Sequence, residues 1–187
     1  MTVTTYQWTI ERYHQAIEAG IFAHDSVELL EGEIVVMSPE REPHAYFNTS
    51  VADNLRRLLG DLVQIRDAKP IILPNNSEPV PDITIARPLG LVYLEHHPYP
   101  EDIFWLIEFA NTALTKDLGR KKDIYSNAGI PEYWVVDLKN LQLKVFRDLN
   151  NNHYETELTL TDGLIAPLAF PDVRVEVRQL MRSPGTI

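Results

Sequence analysis

The chain has 187 residues, 44% of them hydrophobic and 24% charged, which suits one soluble globular domain able to bury most of a core. With 17 Lys and Arg against 27 Asp and Glu the net charge is −10, which argues against a general cationic surface that coats nucleic acid but leaves a local basic patch open. The lack of cysteine excludes disulfides and thiolate metal sites, and with no signal-like start and no run near the ~20 apolar residues of a membrane span, a cytoplasmic protein is expected.

Thr9 opens an amphipathic segment, TIERYHQAIEAG, where Ile10, Tyr13 and Ile17 recur at helical spacing and Gly20 supplies a stop. VELLEGEIVVMS places two apolar runs around Glu31 and Gly32 and predicts a β-hairpin. Pro39 and Pro43 bracket a loop, and a second helix is expected from His44 to Gly60, with Phe47, Val51, Leu55 and Leu59 on one face. LVQIR and PIIL read as short strands, NNSEP as a turn, PDITIA as a strand, and RPLGLVYLEHHPYPED as a long connection.

IFWLIEFA, residues 103–110, has no turn residue and predicts a strand buried on both faces. A helix follows from about Thr115 to Ala128, stopped by Gly129 and Pro131, and then a buried strand, EYWVVD. LQLKVFRD and YETELTL alternate about an asparagine-rich turn, DLNNNH, and the tail FPDVRVEVRQLM is short and mixed. The strand around Glu108, the helix and EYWVVD form a parallel crossover unit, which would be right-handed. The whole is α/β: a mixed sheet flanked by helices, with an N-terminal helix and β-hairpins.

Glu108 is the anomaly in this pattern. An ionised carboxylate in a buried strand is costly unless a metal or a cation compensates it. Asp82 stands at the start of another short buried strand. If the two strands are neighbours, both carboxylates converge on one cation, and hard divalent ions take one or two carboxylates plus water. The plainer readings are a turn-forming Asp82 and a Glu108 paired with Arg or Lys. In the following helix Leu114, Leu118, Lys121, Tyr125 and Ala128 share one side, so Lys121 lies in the apolar stripe while Lys122 is turned away by about 100°. Lys121 either reaches toward the strand, where it would stabilise developing negative charge, or snorkels to solvent. Tyr125 reads as core packing with a polar tip. His44 beside a helix start is a weaker candidate, His96 and His97 are a bare pair, and of the acidic hairpin residues Glu28, Glu31 and Glu33 only Glu28 is weighed as projecting inward. GxGxxG, GxxxxGK, HExxH and GxSxG motifs are all missing.

Pro81 and Asp82, Glu108 in WLIEFA, the run KDLGRKKDIY and AGIPEYWVVD together resemble the Uma-two family of restriction-endonuclease-like proteins, within the PD-(D/E)xK nuclease-like superfamily. VELLEGEIVVMSP and the following Pro43 and His44 fit the family's N-terminal half, so the resemblance covers nearly the whole chain. It implies a restriction-endonuclease-like core and a divalent-metal site on Asp82 and Glu108; the ion expected is Mg²⁺ or Mn²⁺, and the Phe109 carbonyl is a candidate further ligand. The superfamily lysine belongs two residues after Glu108, where this chain has Ala110; the position matching the family's relocated lysine is Lys121. The expected function is hydrolysis of nucleic-acid phosphodiesters, DNA first, with His44 and Glu28 as supporting groups and a homodimer as a plausible assembly. The competing expectation is a non-catalytic module that keeps the nuclease fold for protein association or nucleic-acid binding, favoured by the charge of −10 and by Ala110.

Overall fold

The computed structural model describes residues 5–110 and 114–181; of residues 114–118 it describes the backbone only. Thr9 caps α1 (Ile10–Glu18) by accepting from the Arg12 amide. The hairpin β1 (Val27–Leu30) and β2 (Glu33–Val36) turns through Glu31 and Gly32, whose φ of 51° and 78° give the two-residue turn that matches strand twist. Helix α2 (Glu42–Leu59) begins two residues before His44, because Pro43 suits a first turn whose amides need no partner. Its Val51, Leu55 and Leu59 are buried, as their spacing predicts.

The sheet is built from β3 (Gln64–Asp67), β4 (Ile83–Ala86), β5 (Ile103–Ala110), β6 (Tyr133–Asp137), β7 (Gln142–Asn150) and β8 (His153–Leu160), in that spatial order. All neighbouring pairs are antiparallel except β5 and β6, which are parallel and joined by α3 (Leu114–Asn127). A minor pair, β9 (Leu164–Ile165) with β10 (Val175–Glu176), follows. The α/β expectation therefore holds, with β5 inside the sheet.

PIIL, expected as a strand, is not one. Ile71 and Leu73 are fully buried, but their amides bond to Pro79 and Ser77 carbonyls and the Ile72 amide bonds to Pro98. Pro70 lacks a donor, and Asn76 with φ 51° turns the chain back, so an apolar run feeds the core as loop. The turn in DLNNNH is also tighter than read: only Asn151 and Asn152, at φ 47° and 62°, lie between β7 and β8. The long connection before β5 contains two 3-10 turns, Gly90–Leu94 and Pro100–Asp102.

Strand alternation splits the core in two. Ile83, Ile85, Trp105, Ile107, Trp134 and Val136 pack with α2 on one face. Leu106, Ala110, Tyr133 and Val135 meet Ile124 and Tyr125 of α3 and Leu30 of the hairpin on the other. Among the described residues no helix is long and apolar enough to cross a membrane.

Candidate active site

Glu108 shares its sheet face with Leu106 and Ala110, the face covered by α3. Ile83 pairs antiparallel with Ile107, so Asp82, one residue earlier, stands across from Glu108, with Cβ atoms on one face and roughly 5 Å apart. On β5 the Leu106 amide and the Ala110 carbonyl bond toward the β6 side, which turns the polar groups of Phe109 toward β4. The Phe109 amide accordingly donates to Asp82 Oδ2 at 2.6 Å.

His44 comes from the opposite face, at the N-terminal end of α2. Its Nε2 lies 3.0 Å from Asp82 Oδ2, though off the line of a well-directed hydrogen bond, and its ring rests 5.7 Å from that of Phe109. Burial disfavours the charged imidazole, but the Asp82 carboxylate outweighs it and raises the His44 pKa.

Glu108 Oε1 accepts two hydrogen bonds, from the Tyr125 hydroxyl at 2.8 Å and from Lys121 Nζ at 3.1 Å. Lys121 and Tyr125 are four residues apart on α3 and therefore meet the strand together. The same ammonium lies 3.2 Å from Glu28 Oε2, and that oxygen also accepts from the Val80 amide at 3.1 Å. Burial pushes Glu108 up to about 7; Asp82 and Glu28 add to the rise, while Lys121 and Tyr125 oppose it. Burial alone would depress Lys121, but the facing Glu108 and Glu28 carboxylates raise it instead, so the ammonium stays charged.

Each carboxylate is thus fixed through one oxygen: Oδ2 of Asp82, Oε1 of Glu108 and Oε2 of Glu28. Among the described residues no donor meets Asp82 Oδ1, Glu108 Oε2 or Glu28 Oε1. With Glu108 ionised, three carboxylates face one lysine and one imidazole, an excess of negative charge in a largely buried place. Hard oxygens with that charge suit Mg²⁺ or Mn²⁺, which need only one or two carboxylates beside water. No three Asp, Glu or His side chains of the described residues are already arranged to hold an ion. Lys121 stands between Glu28 and Glu108.

The sequence placed these groups unevenly. Asp82, Glu108, Lys121, His44 and Glu28 come together, and Ala110 is buried, its methyl side chain offering no polar group. Glu28 is 5% exposed, so the inward projection is the one adopted. Glu31 and Glu33 are not merely solvated: Arg120 reaches Glu33 at 2.8 Å, Glu31 at 3.5 Å and the Leu30 carbonyl at 3.0 Å, tying the hairpin to α3. His96 and His97 lie elsewhere, His96 stacked on Tyr99 and His97 Nδ1 3.2 Å from Arg66. Lys122 points away, its ammonium 5.2 Å from the Phe146 ring centre. The stripe positions Leu114 and Leu118 fall among side chains outside the described residues. The Tyr125 contact with Glu108 was missed, although its step of four from Lys121 carried the signal. Val80 acts through its backbone and leaves no mark in a sequence.

Residues 10–178 match the model of a family described as "Uma2: Putative restriction endonuclease". A crystal structure described as a putative nuclease belonging to DUF820, from Anabaena variabilis, superposes with a TM-score of 0.66 at 14% identity, covering 83% of this chain and 89% of that one. At that identity the likeness speaks for the fold. None of the curated proteins matches the chain.

Proposed function

This chain belongs to the Uma2 family, and from that premise we propose that it is a single-domain nuclease hydrolysing nucleic-acid phosphodiesters, DNA first, with Mg²⁺ or Mn²⁺ held by Asp82 and Glu108. The observation that carries the reading is the meeting of Asp82, Glu108 and Lys121 at one end of β4 and β5, with one oxygen of each acid left without a donor among the described residues. The Phe109 carbonyl, turned to the Asp82 side, is the further ligand.

A divalent ion held by Asp82 and Glu108 would supply Lewis acidity and lower the pKa of water there. The chain's own groups do the rest. The Phe109 amide and His44 hold the Asp82 carboxylate in place; Tyr125 holds that of Glu108. Lys121, charged and held among carboxylates, faces the developing negative charge of the transition state, where an ammonium in a water-poor site acts more strongly than in bulk solvent. Glu28 steadies that ammonium from the hairpin. Because Lys121 arrives from α3 rather than from β5, its reach depends on how that helix seats on the sheet.

The test is cleavage of DNA and RNA with Mn²⁺ by the wild type, Asp82→Ala and Lys121→Ala. Cleavage by the wild type alone supports the assignment, and equal cleavage by all three assigns the activity to a contaminant. A second reading, a non-catalytic module of the same fold, is favoured by one observation: the Lys121 ammonium is paired with Glu108 and so compensates its charge. Absence of Mn²⁺ binding in calorimetry would select that module.

A further inference from the structure

The two donors on Glu108 are not alike. Lys121 carries a flexible four-carbon stem and shares its ammonium between Glu108 and Glu28. Tyr125 has two side-chain torsions and is fully buried, its ring set edge-on against that of Tyr133 with centroids 5.1 Å apart. Its hydroxyl has one acceptor among the described residues, Glu108 Oε1 at 2.8 Å.

A phenylalanine would fill the same volume without burying a hydroxyl. Retaining the oxygen is costly unless it is bonded, and here the bond goes to the one carboxylate the strand buries. The adjacent Tyr133 gives the contrast. It is equally buried, it lies in the same aromatic cluster, and its hydroxyl has no partner among the described residues. Packing of aromatic rings between α3 and β6 therefore does not by itself direct a hydroxyl onto Glu108.

We propose that Tyr125 is a positioning residue, whose hydroxyl pins Glu108 Oε1 and reserves Oε2 as the oxygen offered to a divalent cation. The inference rests on the metal-dependent reading of the site and adds to it a division of labour between the two oxygens. With Oε1 held rigidly, Lys121 can shift between Glu108 and Glu28 without rotating the metal-facing oxygen out of place. Donors that orient a ligating carboxylate typically contribute 10- to 100-fold in metal affinity.

Mn²⁺ titration by calorimetry on the wild type, Tyr125→Phe and Tyr133→Phe tests this, with thermal midpoints measured alongside. The expected result is a dissociation constant raised about tenfold or more in Tyr125→Phe, an unchanged constant in Tyr133→Phe, and cleavage by Tyr125→Phe restored by excess Mn²⁺. Wild-type affinity in Tyr125→Phe, whatever its thermal midpoint, overturns the positioning role and leaves the metal site intact. A wild type that binds no Mn²⁺ removes the site itself, and this inference with it.

Discussion

Lys121 Nζ lies 3.1 Å from Glu108 Oε1, an ammonium delivered by α3 to a carboxylate in the middle of the sheet. Both side chains are largely buried, 13% and 8% exposed, so neither has bulk water as an alternative partner. Such a pair adds little net stability over a well-packed apolar pair, but breaking one side of it strands a charge.

Lys121→Met should therefore destabilise the metal-free protein by about 3–5 kcal/mol, measured by urea denaturation at pH 8. Added Mn²⁺ should recover part of that loss, since a cation again faces Glu108 and Glu28. A loss under about 1 kcal/mol, the range of exposed pairs, would mean that water already reaches Glu108.

The raised pKa of Glu108 has a defined sign. Between 4.5 and about 7 the native carboxyl holds a proton that the unfolded one has released, so its contribution to stability falls as pH rises through that window. Denaturation midpoints of the metal-free wild type should drop relative to those of Glu108→Gln from pH 4.5 to 7. Parallel midpoints across the window would show that Glu108 titrates as an ordinary carboxyl. Lys121, raised in turn, withdraws its stabilisation only in strongly alkaline solution, above its usual 10.5.

Arg120 anchors the hairpin that carries Glu28. Arg120→Ala removes the bond to the Leu30 carbonyl and the contacts with Glu31 and Glu33, which are partly exposed, so a cost of about 1 kcal/mol is expected. The larger effect should fall on cleavage, because the hairpin then seats Glu28 less firmly against Lys121. Unchanged cleavage would free the hairpin from any part in the site.

The elements of this fold were legible where hydrophobic period and turn chemistry agreed. Val51, Leu55 and Leu59 in α2, the Glu31-Gly32 turn and the uninterrupted run of β5 each carried one reading. PIIL failed because burial and strand formation are separable: Ile71 and Leu73 fill the core from a loop whose amides bond to Pro79, Pro98 and Ser77. The site was legible through its misfits, a carboxylate in an apolar strand and a lysine in an apolar stripe, which each demand a partner. Asp82 needed the β4–β5 pairing, which no local pattern encodes. Tyr125 reads in the sequence as packing, because an aromatic in a stripe satisfies the core without a hydroxyl. Arg120 and Val80 depend on how the hairpin docks, and long-range docking of that kind has no periodic trace.

A metal site on Asp82 and Glu108 is tested most directly by a crystal of the wild type soaked in Mn²⁺ and measured for anomalous scattering. One peak is expected, at roughly 2.1 Å from Asp82 and from Glu108 Oε2, the length of bonds to small hard cations, with Tyr125 still on Oε1 and Lys121 still beside Glu28. A crystal with no peak there, or with the metal on other residues while Lys121 stays locked to Glu108, would contradict it.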